Sequence, residues 1–246
     1  MWFTLAYRIK CTVSYDGTNY NGWQKQVNQP TIQGQIEASI QKLHNGLYIK
    51  THGASRTDSG VHANNQVFHF DTELDLAPYR WKIAINNYLS DDIYIKKVEI
   101  VGDEFHARYD VKKKEYKYYV NLNEYNPLLR DRMHFERRNL DVELMKKEVK
   151  EIIGRHNFKS FTGGTIYDNY VREIFDASIT INNGILEFTF IGSGFLRYMV
   201  RTIVGTLIEI GYGKKNNIKE ILMSKNRNCA GKSESSVGLY LDKIWY

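Results

Sequence analysis

From Ile9 to Tyr15 apolar and polar residues alternate strictly, Ile-Lys-Cys-Thr-Val-Ser-Tyr, and the run stops at Asp16-Gly17. A period of two predicts a half-buried strand entering a turn. After Pro30 the period changes: Ile32, Ile36, Ile40 and Leu43 recur at helical spacing behind Thr31, a good N-cap residue, and the helix is expected to end near Asn45-Gly46. Strands are expected at 52–55, 66–70 and 93–101. A helix over 78–89 is expected to carry Trp81, Ile85, Tyr88 and Leu89 on its apolar face.

The second half uses the same vocabulary. It predicts a strand at 114–120, a helix over 141–153 closed by Gly154, and a hairpin in which 174–181 and 185–191 alternate around the turn Asn183-Gly184. Leu196, Val200, Ile203, Val204, Leu207 and Ile208 make one helical stripe, flanked by Arg197 and Arg201 one turn apart. A short helix at 218–223 and a final strand at 239–246 complete the pattern. Each half mixes antiparallel strands with helices that cover one sheet face, so the expected class is α+β with two related halves, not a βαβ winding. The halves are placed at 1–105 and 106–246, with no flexible linker between them.

Composition narrows the partner more than the fold. Of 246 residues 42% are hydrophobic and only three are proline, which excludes disorder. The net charge is +6, and residues 106–138 alone hold nine Lys or Arg against five acids, pointing to a polyanion. Cys11 and Cys229 are far apart, which argues against a disulfide scaffold or thiolate metal site. There is no apolar signal core and no run approaching about 18 apolar residues. A cytoplasmic protein with no membrane or metal partner is expected.

Candidate chemistry gathers in three places. The loop Gly53-Ala54-Ser55-Arg56-Thr57-Asp58-Ser59-Gly60-Val61-His62-Ala63 reads first as an ordinary turn, and its position between expected strands raises the alternative of a mount for a carboxylate and a guanidinium at a sheet edge. The run Lys112-Lys113-Lys114-Glu115-Tyr116-Lys117-Tyr118-Tyr119 interleaves cations with rings, as single-strand RNA binders do; as a strand it has Tyr116 and Tyr118 on one face, which is either a stacking platform or core. In Gly192-Ser193-Gly194-Phe195-Leu196-Arg197, an arginine stands where a dinucleotide fingerprint needs its third glycine. No His-Glu-x-x-His or Gly-x-Ser-x-Gly motif occurs. Elimination leaves a carboxylate as the candidate nucleophile.

Four blocks together resemble the tRNA pseudouridine synthase A family: Tyr15-Asp16-Gly17 with Gly22-Trp23-Gln24 and Thr31-Ile32-Gln33-Gly34; Ser55-Arg56-Thr57-Asp58-Ser59-Gly60-Val61-His62-Ala63; Tyr116-Lys117-Tyr118; and Gly194-Phe195-Leu196-Arg197-Tyr198-Met199-Val200-Arg201 with Ile203-Val204-Gly205. The resemblance implies two related α+β halves with a catalytic cleft between them, a homodimer, no cofactor, and isomerisation of uridine to pseudouridine at tRNA positions 38, 39 and 40. It implies that Asp58 is the nucleophile, Arg56 helps displace the target base, Tyr116 contacts the uracil, and Arg201 pairs with the nucleophile. Lys114, Lys117 and Arg197 are the accompanying candidates for substrate binding. The chain departs from the family at Lys232-Ser233-Glu234-Ser235-Ser236-Val237, where an Ala-Pro-containing stretch is usual, and at Tyr170, where threonine is common. Two other readings stay open: a non-catalytic tRNA-binding module, and the same chemistry at another RNA site.

Overall fold

Period-two segments become strands and period-3.6 segments become helices in the computed structural model, which describes residues 6–215 and 217–246. Residues 1–5 of the expected N-terminal half lie outside the described residues. In chain order the elements are β1 (Tyr7–Tyr15), α1 (Ile32–Leu43), β2 (His52–Gly53), β3 (His62–Thr72), α2 (Pro78–Asn86), β4 (Ile93–Val101), β5 (Lys113–Asn121), β6 (His134–Phe135), α3 (Val142–Glu148), β7 (Gly154–Asn157), β8 (Val171–Asn182), β9 (Ile185–Gly192), α4 (Met199–Gly211), α5 (Ile218–Ser224) and β10 (Leu239–Trp245). The class is α+β, as the pattern predicts.

The chain folds as two units. One runs to Lys112 and takes in Leu241–Tyr246; the other is Lys113–Tyr240. The division expected after residue 105 thus falls later, and the last strand returns to the first unit. The reason is local: the Lys112 amide donates to the Trp245 carbonyl at 2.9 Å, and the Tyr246 hydroxyl donates to the Ala107 carbonyl at 2.7 Å. Chain order carries no sign of such a return.

In the first unit the strand order is β4-β1-β3-β10, with β2 paired to β3, and β1 is antiparallel to both β3 and β4. Ile9 lies opposite Phe70 and Cys11 opposite Phe68, so these buried side chains share one face. Both predicted helices belong to it. Thr31 caps α1 by accepting from the Gly34 amide at 3.2 Å, and Asn45 and Gly46 at positive φ follow the helix end. Trp81 of α2 meets Phe70 edge-on at 5.4 Å. Helix α2 stops at Asn86, so Tyr88 and Leu89 fall beyond it and Tyr88 is exposed. The opposite sheet face holds a smaller core of Ala54, Val67 and Ala107, walled by Phe105 and Tyr246.

In the second unit the order is β5-β9-β8-β7, with β6 on β5. The β8–β9 hairpin turns at Asn183 and Gly184, both at positive φ, the conformation a two-residue type I′ turn demands. Tyr118, Phe188 and Ile179 lie in register across three strands and are buried together. The helix predicted over 141–153 is α3 followed by a 3₁₀ turn (Val149–Ile152), and Gly154 at φ +106 ends it. Strands β6 and β7 have two and four residues, too few to show a period.

Helix α4 differs most from expectation. It begins at Met199, because Tyr198 is left-handed at φ 62, so Leu196 and Arg197 precede it. Eleven of its thirteen residues are buried, and Arg201 and Glu209 alone are not, which makes it a nearly buried helix instead of a one-sided one.

One buried group gives the first unit a pH dependence. The His69 ring stacks on His52 at 5.0 Å and meets His106 edge-on at 4.7 Å, and its Nδ1 accepts the Ala107 amide at 3.1 Å. Burial, reinforced by the neighbouring His106 and His52, lowers its pKa to about 4. Protonation at Nδ1 would also set two donors against each other. An unfolded histidine titrates near 6.5, so this contribution is complete above that pH and is lost as pH falls from about 6.5 through 4. His69→Gln is expected to be less stable at pH 7 but to lose less of its melting temperature on acidification to pH 4.5. Parallel melting profiles for variant and wild type would contradict this.

Candidate functional site

Residues 54–61 link β2 to β3, and the segment that follows β1 holds them. The Trp23 amide donates to the Thr57 carbonyl at 3.2 Å, while the Gly60 amide and the Ser59 hydroxyl both donate to the Tyr20 carbonyl at 3.2 Å. The Tyr15 hydroxyl and the Thr57 hydroxyl meet at 2.9 Å in a buried contact. Within the loop the Val61 amide closes a turn on the Asp58 carbonyl at 3.2 Å. At its base the buried Gln66 side chain spans Ser55, accepting from its amide at 3.3 Å and donating to its carbonyl at 2.7 Å. The result is an ordered alternation: Arg56 exposed, Thr57 buried, Asp58 half-buried.

Two glycines permit this approach. Gly22 has φ +83, and a Cβ there would collide with the Thr57 carbonyl; a Cβ on Gly17 would collide with the Val61 carbonyl. The clamp is itself anchored. Ile32 and Gln33, at the start of α1, donate from their amides to the Gly22 and Trp23 carbonyls at 3.2 and 2.9 Å. The buried Gln33 amide group donates to Glu37, whose carboxylate also accepts the Thr51 amide at 3.0 Å. Beside the loop, His62 Nδ1 accepts the Gly17 amide at 3.1 Å and lies 3.0 Å from the Asp16 carboxylate. The motifs at 15–17, 22–24 and 31–34 therefore form the mount beneath Asp58.

In the second unit the remaining candidates separate into two faces and a turn. Tyr116 and Tyr118 point to one face, as alternation predicts, and both are buried. Tyr118 is core, with its hydroxyl donated to the Ser235 carbonyl at 2.9 Å and its ionisation suppressed by burial. Tyr116 packs edge-on against Phe195 at 5.0 Å. Lys117 lies on the other face, paired with Glu187 at 2.8 Å, and Lys114 is half-buried. Arg197 is exposed in the turn before α4. Arg197 and Arg201 both lie over the Tyr198 ring, at 4.8 and 5.3 Å.

Arg201 has a fixed setting. Its Nε donates to the Glu234 carbonyl at 2.6 Å, and its own carbonyl accepts the Glu234 amide at 3.1 Å. The chain reaches this position because Gly205 presents no side chain: a Cβ there would collide with the Lys232 carbonyl. The Thr202 and Ser233 hydroxyls add a bond of 2.6 Å. Residues 232–234 are thus the strip that lies against α4 and holds Arg201. Sequence reasoning gave Tyr15, Thr57, Tyr198 and Glu234 no role of their own, and it did not mark Gly22 or Gly205 as points of close approach.

Among the described residues no group of three or more His, Cys, Asp or Glu side chains is arranged to hold a metal ion, and no helix is long and apolar enough to cross a membrane. The profile described as tRNA pseudouridine synthase matches residues 12–110 and 149–246. Tyr116, Lys114 and Lys117 lie in the stretch between these segments. A tRNA pseudouridine synthase A of Geobacillus sp. (strain WCH70) is 44% identical over 98% of this chain and 99% of its own length. One from Anoxybacillus flavithermus is 42% identical over 97% and 98%. A tRNA pseudouridine synthase A 1 of Bacillus cereus is 43% identical over 97% and 98%.

The clamp can be tested without reference to chemistry. Gly46 also has positive φ, 92°, but a Cβ there meets nothing within 4 Å. Gly46→Ala therefore carries only the backbone cost, about 1 kcal/mol, or roughly 2–4 °C in Tm for a chain of this size. Gly22→Ala carries that cost plus the collision with Thr57, so it should melt several degrees lower still and lose hydrogen-exchange protection at the Trp23 and Gly60 amides. Equal melting of the two variants would show that the approach to Thr57 is not tight.

Proposed function

This chain belongs to the tRNA pseudouridine synthase family, and from that premise we propose that it is an isomerase converting uridine to pseudouridine at positions 38, 39 and 40 of the tRNA anticodon stem-loop, with Asp58 as the attacking carboxylate. The observation that carries the reading is the Arg56-Thr57-Asp58 loop, held by cross-ties from Tyr20 and Trp23 so that its acid is half-buried and its arginine exposed. The near full-length likeness to proteins named for this activity supports it.

A carboxylic acid with a reference pKa of about 3.9 is ionised at neutral pH, so an aspartate nucleophile needs no separate base to activate it. The N1–C1′ bond breaks, the uracil turns, and C5 joins C1′; the C5 hydrogen is released and N1 takes up a proton. The number of atoms is unchanged, and no redox partner enters. The target must leave its stack, which costs a few kcal/mol. We assign Arg56 to displacing the base, Tyr116 to contact with the uracil, Arg201 to the pairing role the resemblance implies, and Lys114, Lys117 and Arg197 to the RNA. A homodimer working in the cytoplasm without a cofactor belongs to the same proposal.

The test is tritium release from tRNA transcripts carrying 5-tritiated uridine. Asp58→Asn keeps size and shape but removes the nucleophile, and should lower release by at least about a thousandfold while tRNA still binds. Equal release by wild type and variant would reject the mechanism. Salt-sensitive tRNA binding by a wild-type chain that forms no pseudouridine would favour a binding module.

A further inference from the structure

In the second unit Lys159, Lys225 and Arg227 converge on an open pocket of about 320 Å³, which Thr162, Thr165 and Tyr170 also line. No carboxylate is among the lining residues. Lys159 and Lys225 are exposed, and Arg227 is half-buried, with its guanidinium donated to the Gly231 carbonyl at 2.8 Å and the Ser233 hydroxyl at 3.3 Å. Three like charges around one concavity repel one another, and an anion seated among them relieves that repulsion. The Thr165 hydroxyl adds a hydrogen-bond donor, and the ring of Tyr170, centred 5.8 Å from the Lys159 ammonium, adds an aromatic face.

The size and connections narrow the choice of anion. Ligand pockets span about 300–1,000 Å³, so this one suits a phosphate with its sugar better than a whole cofactor. Its wall is also tied to one of the candidate arginines. The Tyr170 hydroxyl accepts the Tyr167 amide at 3.2 Å, the Tyr167 hydroxyl accepts the Arg197 amide at 3.0 Å, and the Thr162 hydroxyl donates to the Arg197 carbonyl at 2.9 Å. Arg227, through Ser233, reaches the strip that holds Arg201.

We propose that this pocket holds a backbone phosphate of the substrate RNA, at a nucleotide other than the reacting uridine. The inference rests on the tRNA reading above. A phosphate contact fixes the register of an RNA without reading its bases, and it leaves a measurable trace in salt dependence.

The experiment measures tRNA affinity of the full-length chain across salt concentrations for wild type, Lys159→Gln/Lys225→Gln, and the control Lys146→Gln, whose lysine pairs with Glu143 on α3. Each neutralised phosphate contributes about 0.7–0.9 to the slope of log K against log salt. The double variant should therefore lose about 0.7–0.9 from the slope and roughly tenfold in affinity near physiological salt, with Lys146→Gln matching wild type. Unchanged slope and affinity in the double variant would overturn the proposal. Titration of inorganic phosphate separates a free anion from an RNA phosphate. Saturable submillimolar binding that the double variant loses, with its tRNA affinity intact, would also overturn it. Should wild type form no pseudouridine while the double variant still loses slope, the pocket stands and the isomerase reading alone fails.

Discussion

The hydrogen bond from the Trp23 amide to the Thr57 carbonyl, 3.2 Å long, sets where Asp58 stands. It forms only because Gly22 takes a left-handed backbone and has no Cβ to strike that carbonyl. Ordering a loop costs about 1–2 kcal/mol per residue in backbone entropy, and one neutral hydrogen bond returns about 0.5–1.5 kcal/mol. A single tie is therefore insufficient. The ties from Tyr15, Tyr20 and Trp23, together with burial of Trp23 between Tyr15 and Phe68, act jointly to give the loop one conformation.

The second unit solves a similar problem by the same means. Arg201 would be a mobile cation on a surface helix if only one side of α4 were covered. Gly205 lets residues 232–234 lie against the helix, and the Glu234 backbone then grips Arg201 from both its side chain and its carbonyl. In each unit a glycine with no side chain sets the position of a charged residue. Charged groups held by backbone are pre-organised, so less reorganisation is needed when charge develops nearby.

Much of this was legible from pattern. Strand β1, helix α1 with its Thr31 cap, and the Asn183-Gly184 hairpin follow from periodicity and turn chemistry, because their determinants lie within a dozen residues. Alternation put Tyr116 and Tyr118 on one face, but which face is buried depends on packing that no local window contains. Helix α4 was misread for the same reason: its second side is covered by a strip about thirty residues further on, and the left-handed Tyr198 that removes Arg197 from the helix has no signature in sequence. The return of the last strand to the first unit is likewise a tertiary event. Asp58 was legible as a candidate through the company of its motifs, whereas its mount at Gly22 looked like any turn glycine.

The central claim is that the geometry of the clamp, and not merely the presence of a carboxylate, makes Asp58 competent. Misplacement of a reacting group by about 1 Å can cost on the order of a hundredfold in rate. The direct measurement is the single-turnover rate of pseudouridine formation by Gly22→Ala and Gly46→Ala at a temperature where both are fully folded. The account predicts a loss of about a hundredfold for Gly22→Ala and a rate near wild type for Gly46→Ala; equal rates in the two variants would contradict it.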